Sequence, residues 1–340
     1  MPQPEKEAAL LPALIRLTEH HQRACPTYRR MLEVLAPGPI TALHELPWLP
    51  VGLFKSHALA SVPEAEISTV LTSSGTTGQT PSRVFLDRHT ARRQTVALAR
   101  IMTEVLGPRR LPMLIVDHAG LLQDRSQMSA RGAGVLGMMT FGARPVFVLD
   151  RDMRLDRDAL AGFLARHGNA PFLIFGFTYM VWQLVEALAD GEVDLSRGIL
   201  VHTGGWKHLH DRAVDNTVFK ATLRRRTGLE RVSSFYGMAE QVGSVFVEDA
   251  DGYLVPPAFA DVIVRDPITL APVPTGTVGV LQVVSVIPTS YPGHSLLTED
   301  LGVVHHVDGP GWCGKKLTVL GRIPRAELRG CSDTAAAERA

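Results

Sequence analysis

Apolar positions along the chain fall into three regimes. From residue 8 to 35 they follow helical spacing: Leu10, Leu11, Leu14, Ile15 and Leu17, then Met31, Leu32 and Leu35 after Pro26. This predicts a helical entry region over residues 1–66. Within it, Leu46 to Ser61 carries Pro47, Trp48, Pro50, Phe54 and Lys55 and reads as an ordered covering segment. From 67 to 244, short β-rich apolar runs alternate with helical patterns. Strands are predicted at 113–116, 146–149, 172–175, 199–201 and 232–235, and helices around 130–140, 156–167, 180–189 and 212–226. That alternation predicts an α/β fold of mostly parallel sheets covered by helices, with ligands gathering at the carboxyl ends of strands. From 245 to 322 strands are separated by turns at Asp266-Pro267 and Pro274-Thr275-Gly276, which predicts a smaller antiparallel β region. Residues 323–340 form a short C-terminal tail, small and polar at its end.

Composition agrees with a globular chain of 340 residues: 45% hydrophobic, 20% charged and a net charge of +1. No field suited to a polyanion results, so no nucleic-acid partner is expected. Cys25, Cys313 and Cys331 are too few and too scattered for a disulfide framework, which fits a reducing cytoplasm. The opening residues, with Pro2, Pro4, Glu5 and Glu7, do not read as a secretory signal, and no apolar run is long enough for a transmembrane segment.

The strongest local signal is Thr72-Ser73-Ser74-Gly75-Thr76-Thr77-Gly78, straight after the apolar segment 67–71. Hydroxyls and glycines in this order offer donors to phosphate oxygens and permit close backbone approach. The same composition also describes a surface loop. It is not a Walker A loop, because no Gly-Lys-Ser/Thr follows. His118 and His202 follow strands where substrate groups would lie, though each reads more readily as a satisfied structural histidine. His305-His306 are expected to point to opposite faces of one strand, which argues against zinc. Phe172, Phe175, Phe177, Tyr179 and Trp182 read as core, with Phe177 and Tyr179 as possible walls of an acyl tunnel.

The run Thr72 to Gly78 resembles the phosphate loop of the adenylate-forming superfamily of acyl-CoA ligases and luciferases. Further motifs follow in that superfamily's order: Thr203-Gly204-Gly205, Tyr236-Gly237-Met238-Ala239-Glu240, Thr298-Glu299-Asp300 and Gly321-Arg322. Val51 to Ser56, His202 to Lys207 and Leu328 to Ser332 are similar to one branch, the acyl-protein synthetase of the bacterial luminescence fatty acid reductase, the LuxE type. The resemblance implies an adenylation domain over 1–322, the large N-terminal domain of an adenylate-forming enzyme, without the full C-terminal lid domain. It implies a cytoplasmic ligase that uses ATP and Mg²⁺ to convert a long-chain fatty acid into an acyl adenylate, then passes the acyl group to a protein thiol for an acyl reductase partner. Thr72, Ser73, Ser74, Gly75, Thr76, Thr77 and Gly78 would hold the phosphates. Gly204, Gly205, Tyr236 and Gly237 would hold adenine, Asp300 the ribose and Glu240 the magnesium, with Arg322 at the hinge. Cys331, in the tail, stands where the acyl-accepting cysteine is expected; a thiol on a tail is chemically suited to that transfer.

Departures from the superfamily pattern are also visible. Ser82 stands at a position usually held by lysine, Ala239 replaces a threonine, and Glu299 replaces a glycine. Without a lid domain its catalytic lysine is not expected in its usual place; Arg83, Lys207, Lys315 and Lys316 are the candidate charges, although Lys315-Lys316 read more readily as a solvated turn before the strand at 317–320. Two other readings follow: a phenylacetate-type acyl- or aryl-CoA ligase with CoA as the thiol, and a non-catalytic nucleotide-binding partner of a reductase.

Overall fold

The computed structural model describes residues 1–35, 38–72, 81–122, 130–206 and 213–323. Two helices open the chain, α1 (Gln3–Ala24) and α2 (Pro26–Leu35), followed by β1 (Leu49–Pro50) and α3 (Leu53–Ser56). A hairpin of β2 (Ile67–Thr72) and β3 (Arg83–Asp87) leads into α4 (Arg88–Leu106). Alternation then begins: β4 (Leu111–Val116), α5 (Ala130–Met139), β5 (Gly142–Phe147), α6 (Arg157–His167), β6 (Phe172–Phe177), α7 (Thr178–Glu186), β7 (Gly198–Thr203), α8 (Asn216–Thr227) and β8 (Arg231–Tyr236). The remainder is strands: β9 (Phe246–Glu248), β10 (Leu254–Val255), β11 (Ala260–Arg265), β12 (Gly279–Ser285), β13 (Ser295–Gly309) and β14 (Trp312–Arg322).

Sheet order is β11-β12-β13-β14-β10-β9-β8-β7-β6-β4-β5, with β1 added in parallel beside β13. Strands β8, β7, β6, β4 and β5 are parallel, and the half from β9 out to β11 is antiparallel. The two regions expected from sequence are therefore halves of one continuous sheet. Only β10 and β9 connect the β13–β14 hairpin to β8.

The parallel half is apolar on both faces because helices cover both. Side chains alternate across each strand: Leu114, Val116, Phe172 and Ile174 pack with Leu160, Phe163, Met180 and Phe219 of α6, α7 and α8. Met113, Ile115, Leu173 and Phe175 pack with Met102, Leu106, Val135 and Met138 of α4 and α5. Each fully buried aromatic or aliphatic side chain contributes about 1.5–3 kcal/mol. On the antiparallel half, α1 places Leu10 and Leu14 against Ile263 and Val284, and Tyr28, Leu32 and Phe54 pack on Val262, Val283, Leu296 and Leu317. No helix among the described residues is long and apolar enough to cross a membrane.

Candidate functional site

Carboxyl ends of β4, β6, β7 and β8 form one edge, carrying Asp117-His118, Thr178, Thr203-Gly204-Gly205 and Tyr236-Gly237 in turn. Thr203 Oγ1 donates to the Phe235 carbonyl at 3.0 Å and ties the β7 loop to β8. Gly204 has φ +82°, and a Cβ there would meet Phe177 Cδ1 at 3.3 Å, whereas one at Gly205 would stand in open space. Left-handed backbone costs an L-residue about 1–2 kcal/mol. Gly204→Ala is therefore expected to lower unfolding stability by at least that amount, read from urea midpoints, whereas Gly205→Ala should leave it within about 0.5 kcal/mol.

Tyr236 and Asp300 lie in opposite halves of the sheet, yet the phenol donates to Asp300 Oδ2 at 2.7 Å. Thr298 Oγ1 accepts from the Asp300 backbone N–H at 3.1 Å and holds the turn that presents the carboxylate. Arg322 is the cross-strand partner of Asp300 on β14, directly after Gly321 with φ +125°. Burial raises the Asp300 carboxyl above the usual range, partly opposed by the Tyr236 hydrogen bond and the Arg322 charge. Burial, reinforced by the Asp300 charge, raises the Tyr236 phenol well above its ordinary value, so it remains a neutral donor. The segment around Gly52 reaches the same place, since a Cβ on Gly52 would lie 3.6 Å from Glu299 Oε1. Ile323 N–H donates to the Glu299 carbonyl at 2.8 Å, fixing where the chain leaves β14.

Glu240 is buried in the 3-10 turn Ala239–Gln241 just beyond β8. Gln241 anchors that turn by donating from Nε2 to the carbonyls of Gly293 (3.0 Å) and Val283 (3.3 Å). Next to it, Gly243 has φ +86°, and its missing Cβ would come within 3.0 Å of Gln94 Cα on α4. Thr72 and Arg83 face each other at the open end of the β2–β3 hairpin. The Arg83 guanidinium lies 5.9 Å from the Phe85 ring centroid, and Ser82, beside it, is buried. Ser73, Ser74, Gly75, Thr76, Thr77, Gly78, Lys207 and Cys331 lie outside the described residues.

Two expectations need correction. Lys315 and Lys316 are not a solvated turn: both belong to β14. Lys316 is buried between Asp249 (2.8 Å) and Asp251, 4.6 Å from the Trp312 ring centroid, and Lys315 pairs with Asp261 at 3.3 Å. Lys316 pairs in register with His306, six residues along β13 from Asp300, or roughly 20 Å away. Nor do His305 and His306 diverge. Register shifts between Val304 and His306, and both rings lie beside Tyr253, at 5.1 and 5.5 Å.

Two further residues organise the edge and escaped the sequence reading. Glu248 is buried beneath β8, accepting from Ser234 N at 2.8 Å and from Lys220 Nζ at 2.7 Å; burial pushes its carboxyl up, but these donors outweigh it and the net shift is downward. Thr178 lies under the Gly204 loop, contacting His202. Their only sequence signal is position, at or just beyond the end of an apolar strand.

The family model described as "Acyl-protein synthetase, LuxE" matches residues 3–338. The long-chain-fatty-acid–luciferin-component ligase of Vibrio harveyi is 24% identical over 327 residues, covering 92% of this chain and 84% of that protein. Its namesake from Aliivibrio fischeri is 24% identical over 303 residues, covering 85% and 78%. In fold, the chain is similar to 2-hydroxyisobutyryl-CoA ligase in an open conformation, with a TM-score of 0.72 at 20% identity over 96% of this chain and 71% of that one. It is also similar to ATP-bound MatB from Rhodopseudomonas palustris, with a TM-score of 0.50 at 18% identity over 77% and 49%. The chain thus belongs to the LuxE family of acyl-protein synthetases, enzymes of adenylate-forming fold that activate acyl groups with ATP.

Proposed function

We propose that this enzyme activates a long-chain fatty acid as its acyl adenylate and transfers the acyl group to a protein cysteine, Cys331, as a thioester for delivery to an acyl reductase. The observation that carries the nucleotide half of this reading is the Tyr236–Asp300 hydrogen bond. It brings together two motifs 64 residues apart, beside the Gly204-Gly205 loop. The residues fit a nucleotide: an aromatic ring, a carboxylate with one oxygen engaged by Tyr236, and a glycine loop whose Gly205 face is open. They also fit magnesium. No cluster of three or more metal-binding side chains occurs among the described residues, and Mg²⁺ ordinarily takes one or two carboxylates together with phosphate oxygens. Glu240 is the carboxylate assigned to it, and the ion would neutralise charge on the phosphates.

In this reading Asp300 accepts from the ribose hydroxyls, while Tyr236 and the Gly204-Gly205 loop bracket adenine and Gly237 leaves room behind it. Thr72 and the hydroxyl–glycine run after it, Ser73 to Gly78, hold the phosphates, with Arg83 or Lys207 supplying positive charge and Arg322 beside the ribose. The fatty carboxylate attacks the α-phosphorus and pyrophosphate leaves. A thiolate, which is the attacking form of cysteine, then displaces AMP from the acyl carbonyl. Catalysis is positioning plus charge stabilisation.

The test is intact-mass measurement after incubation with Mg-ATP and fatty acids. Wild type is expected to gain one hydroxylamine-labile acyl group and Cys331→Ala none. AMP release only on addition of CoA, with no adduct on wild type, would instead establish CoA as the acceptor.

A further inference from the structure

Thr178 opens α7 directly beneath the loop that ends β7, and its Oγ1 has three polar neighbours. These are the Gly204 carbonyl at 2.7 Å, His202 Nδ1 at 3.0 Å and the Thr203 carbonyl at 3.2 Å. A hydroxyl has one proton and two lone pairs. With the proton given to the nearest acceptor, the Gly204 carbonyl, His202 must be the donor and carry its hydrogen on Nδ1. His202 is 4% exposed, and its ring lies 4.9 Å from that of Phe219. Its Nε2, the lone-pair nitrogen in this tautomer, has no hydrogen-bond partner among the described residues.

The orientation of one peptide follows. In a trans peptide the carbonyl and the next N–H point in opposite directions. A Gly204 carbonyl turned onto Thr178 turns the Gly205 N–H away from α7, and Gly205 itself is uncrowded, since a Cβ there would meet nothing within 4 Å. The loop is pinned on both sides of this peptide. Thr203 is tied to Phe235, and the Trp206 indole packs 5.6 Å from the Trp182 ring and 6.2 Å from that of Phe219.

We infer that Thr178 is a positioning residue for nucleotide binding: by holding the Gly204 carbonyl, and being held by His202 Nδ1–H, it aims the Gly205 N–H into the crevice as a donor for the adenylate. This rests on the nucleotide assignment proposed above. Neither Thr178 nor His202 touches the reacting atoms. Their effect is to save the loop from ordering itself when the nucleotide arrives.

Thr178→Val keeps the shape and removes the hydroxyl, and Thr178→Ser restores it. Thr178→Val is expected to raise KM for ATP in pyrophosphate exchange about tenfold, the scale of one hydrogen bond, with kcat within about twofold. Thr178→Ser should return KM to near wild type even if the lost methyl lowers stability. Nitrogen-15 NMR of wild-type His202 should show the Nδ1–H tautomer, a readout that needs neither nucleotide nor turnover and that stands if Thr178→Val does not fold. An Nε2–H tautomer, an unchanged KM in folded Thr178→Val, or an equal KM rise in Thr178→Ser each overturns the inference. Asp300→Ala, run in parallel, separates the two levels: normal exchange there removes the nucleotide assignment itself, whereas lost exchange there with unchanged KM in Thr178→Val removes only the role of Thr178.

Discussion

Asp300→Ala is expected to lower ATP–pyrophosphate exchange, measured as kcat/KM for ATP, by at least about a hundredfold. In the proposed site the Asp300 carboxylate accepts from the ribose, and each hydrogen bond to a charged acceptor is worth about 1.5–3 kcal/mol, so two such bonds set that floor. Alanine also removes the acceptor of the buried Tyr236 phenol, which by itself costs about 1–3 kcal/mol. Asp300→Asn separates the contributions, since its amide oxygen still accepts from Tyr236 while the charge is gone. Stability near wild type with exchange still strongly reduced is the result expected of Asn. Exchange close to wild type in the alanine variant would sink the assignment of Asp300 to the nucleotide.

Acid should begin to destabilise this protein below about pH 6.5, before its carboxylates titrate, because three histidines are buried neutral. Burial lowers His202 to about 4, with Glu248 and Lys220 as smaller opposing influences. It lowers His294 to about 3, helped slightly by His20. It lowers His21 well below its ordinary value, helped by His294 and His20. The rings of His21 and His294 stack at 4.9 Å, with Ser61 Oγ and Thr18 Oγ1 as their hydrogen-bond partners. Above about pH 6.5 these residues are neutral in both states and contribute no slope. Below it the unfolded chain takes up protons that the folded chain refuses, and the loss continues until pH passes the folded values near 4 and 3. His202 and His294 each remove about 1.4 kcal/mol per pH unit in that window, so the two together remove about 3, and His21 adds a loss of the same sign. A domain stable by about 5–15 kcal/mol is then expected to lose a large share of that stability by about pH 4. Urea midpoints at pH 7.5, 6.5, 5.5 and 5.0 check this, and a flat profile down to pH 5 refutes it.

The parallel half of the sheet was legible where it is covered on both faces: β4, β6 and β7 appear as near-continuous apolar runs, whereas β5 and β8 carry polar residues and showed only their apolar ends. Helix α4 did not declare itself. Its first inward positions are Thr90, Gln94 and Ala97, polar or small, so its stripe does not read as apolar although the spacing is helical. Strand β13 hid for another reason. Its pairing with β14 shifts register at three places, and each shift breaks the two-residue alternation that marks a strand. The same irregularity defeated the expectation for His305 and His306. At the site, resemblance supplied the motifs, but no spacing rule predicts that residue 236 meets residue 300, since their contact depends on the path β8-β9-β10-β14-β13. Thr178 and Glu248 act through a backbone carbonyl and a backbone amide, and such partners leave no trace in side-chain pattern.

Helix α1 packs on α2 and on Leu43 and Leu46 close by in sequence, but most of its polar anchors lie far along the chain. Gln3 N–H donates to Asp308 at 2.9 Å, Gln3 Nε2 to Asp261 at 2.5 Å, Lys6 Nζ to the Pro256 carbonyl at 3.2 Å, and Thr18 meets His294 at 2.9 Å. Helix α1 leaves the ribosome long before these anchors do and is thus among the last of the described elements to be fully seated. At about 5–20 residues per second, roughly 12–60 s of translation separates emergence of α1 from emergence of β11 to β13, and meanwhile Leu10 and Leu14 have only the nearby Leu43 and Leu46, without Ile263 and Val284, to pack on. The nascent chain therefore passes through a long interval as an open bait for chaperones, and heterologous expression should respond to chaperone supply and growth temperature more steeply than the stability of the finished enzyme suggests.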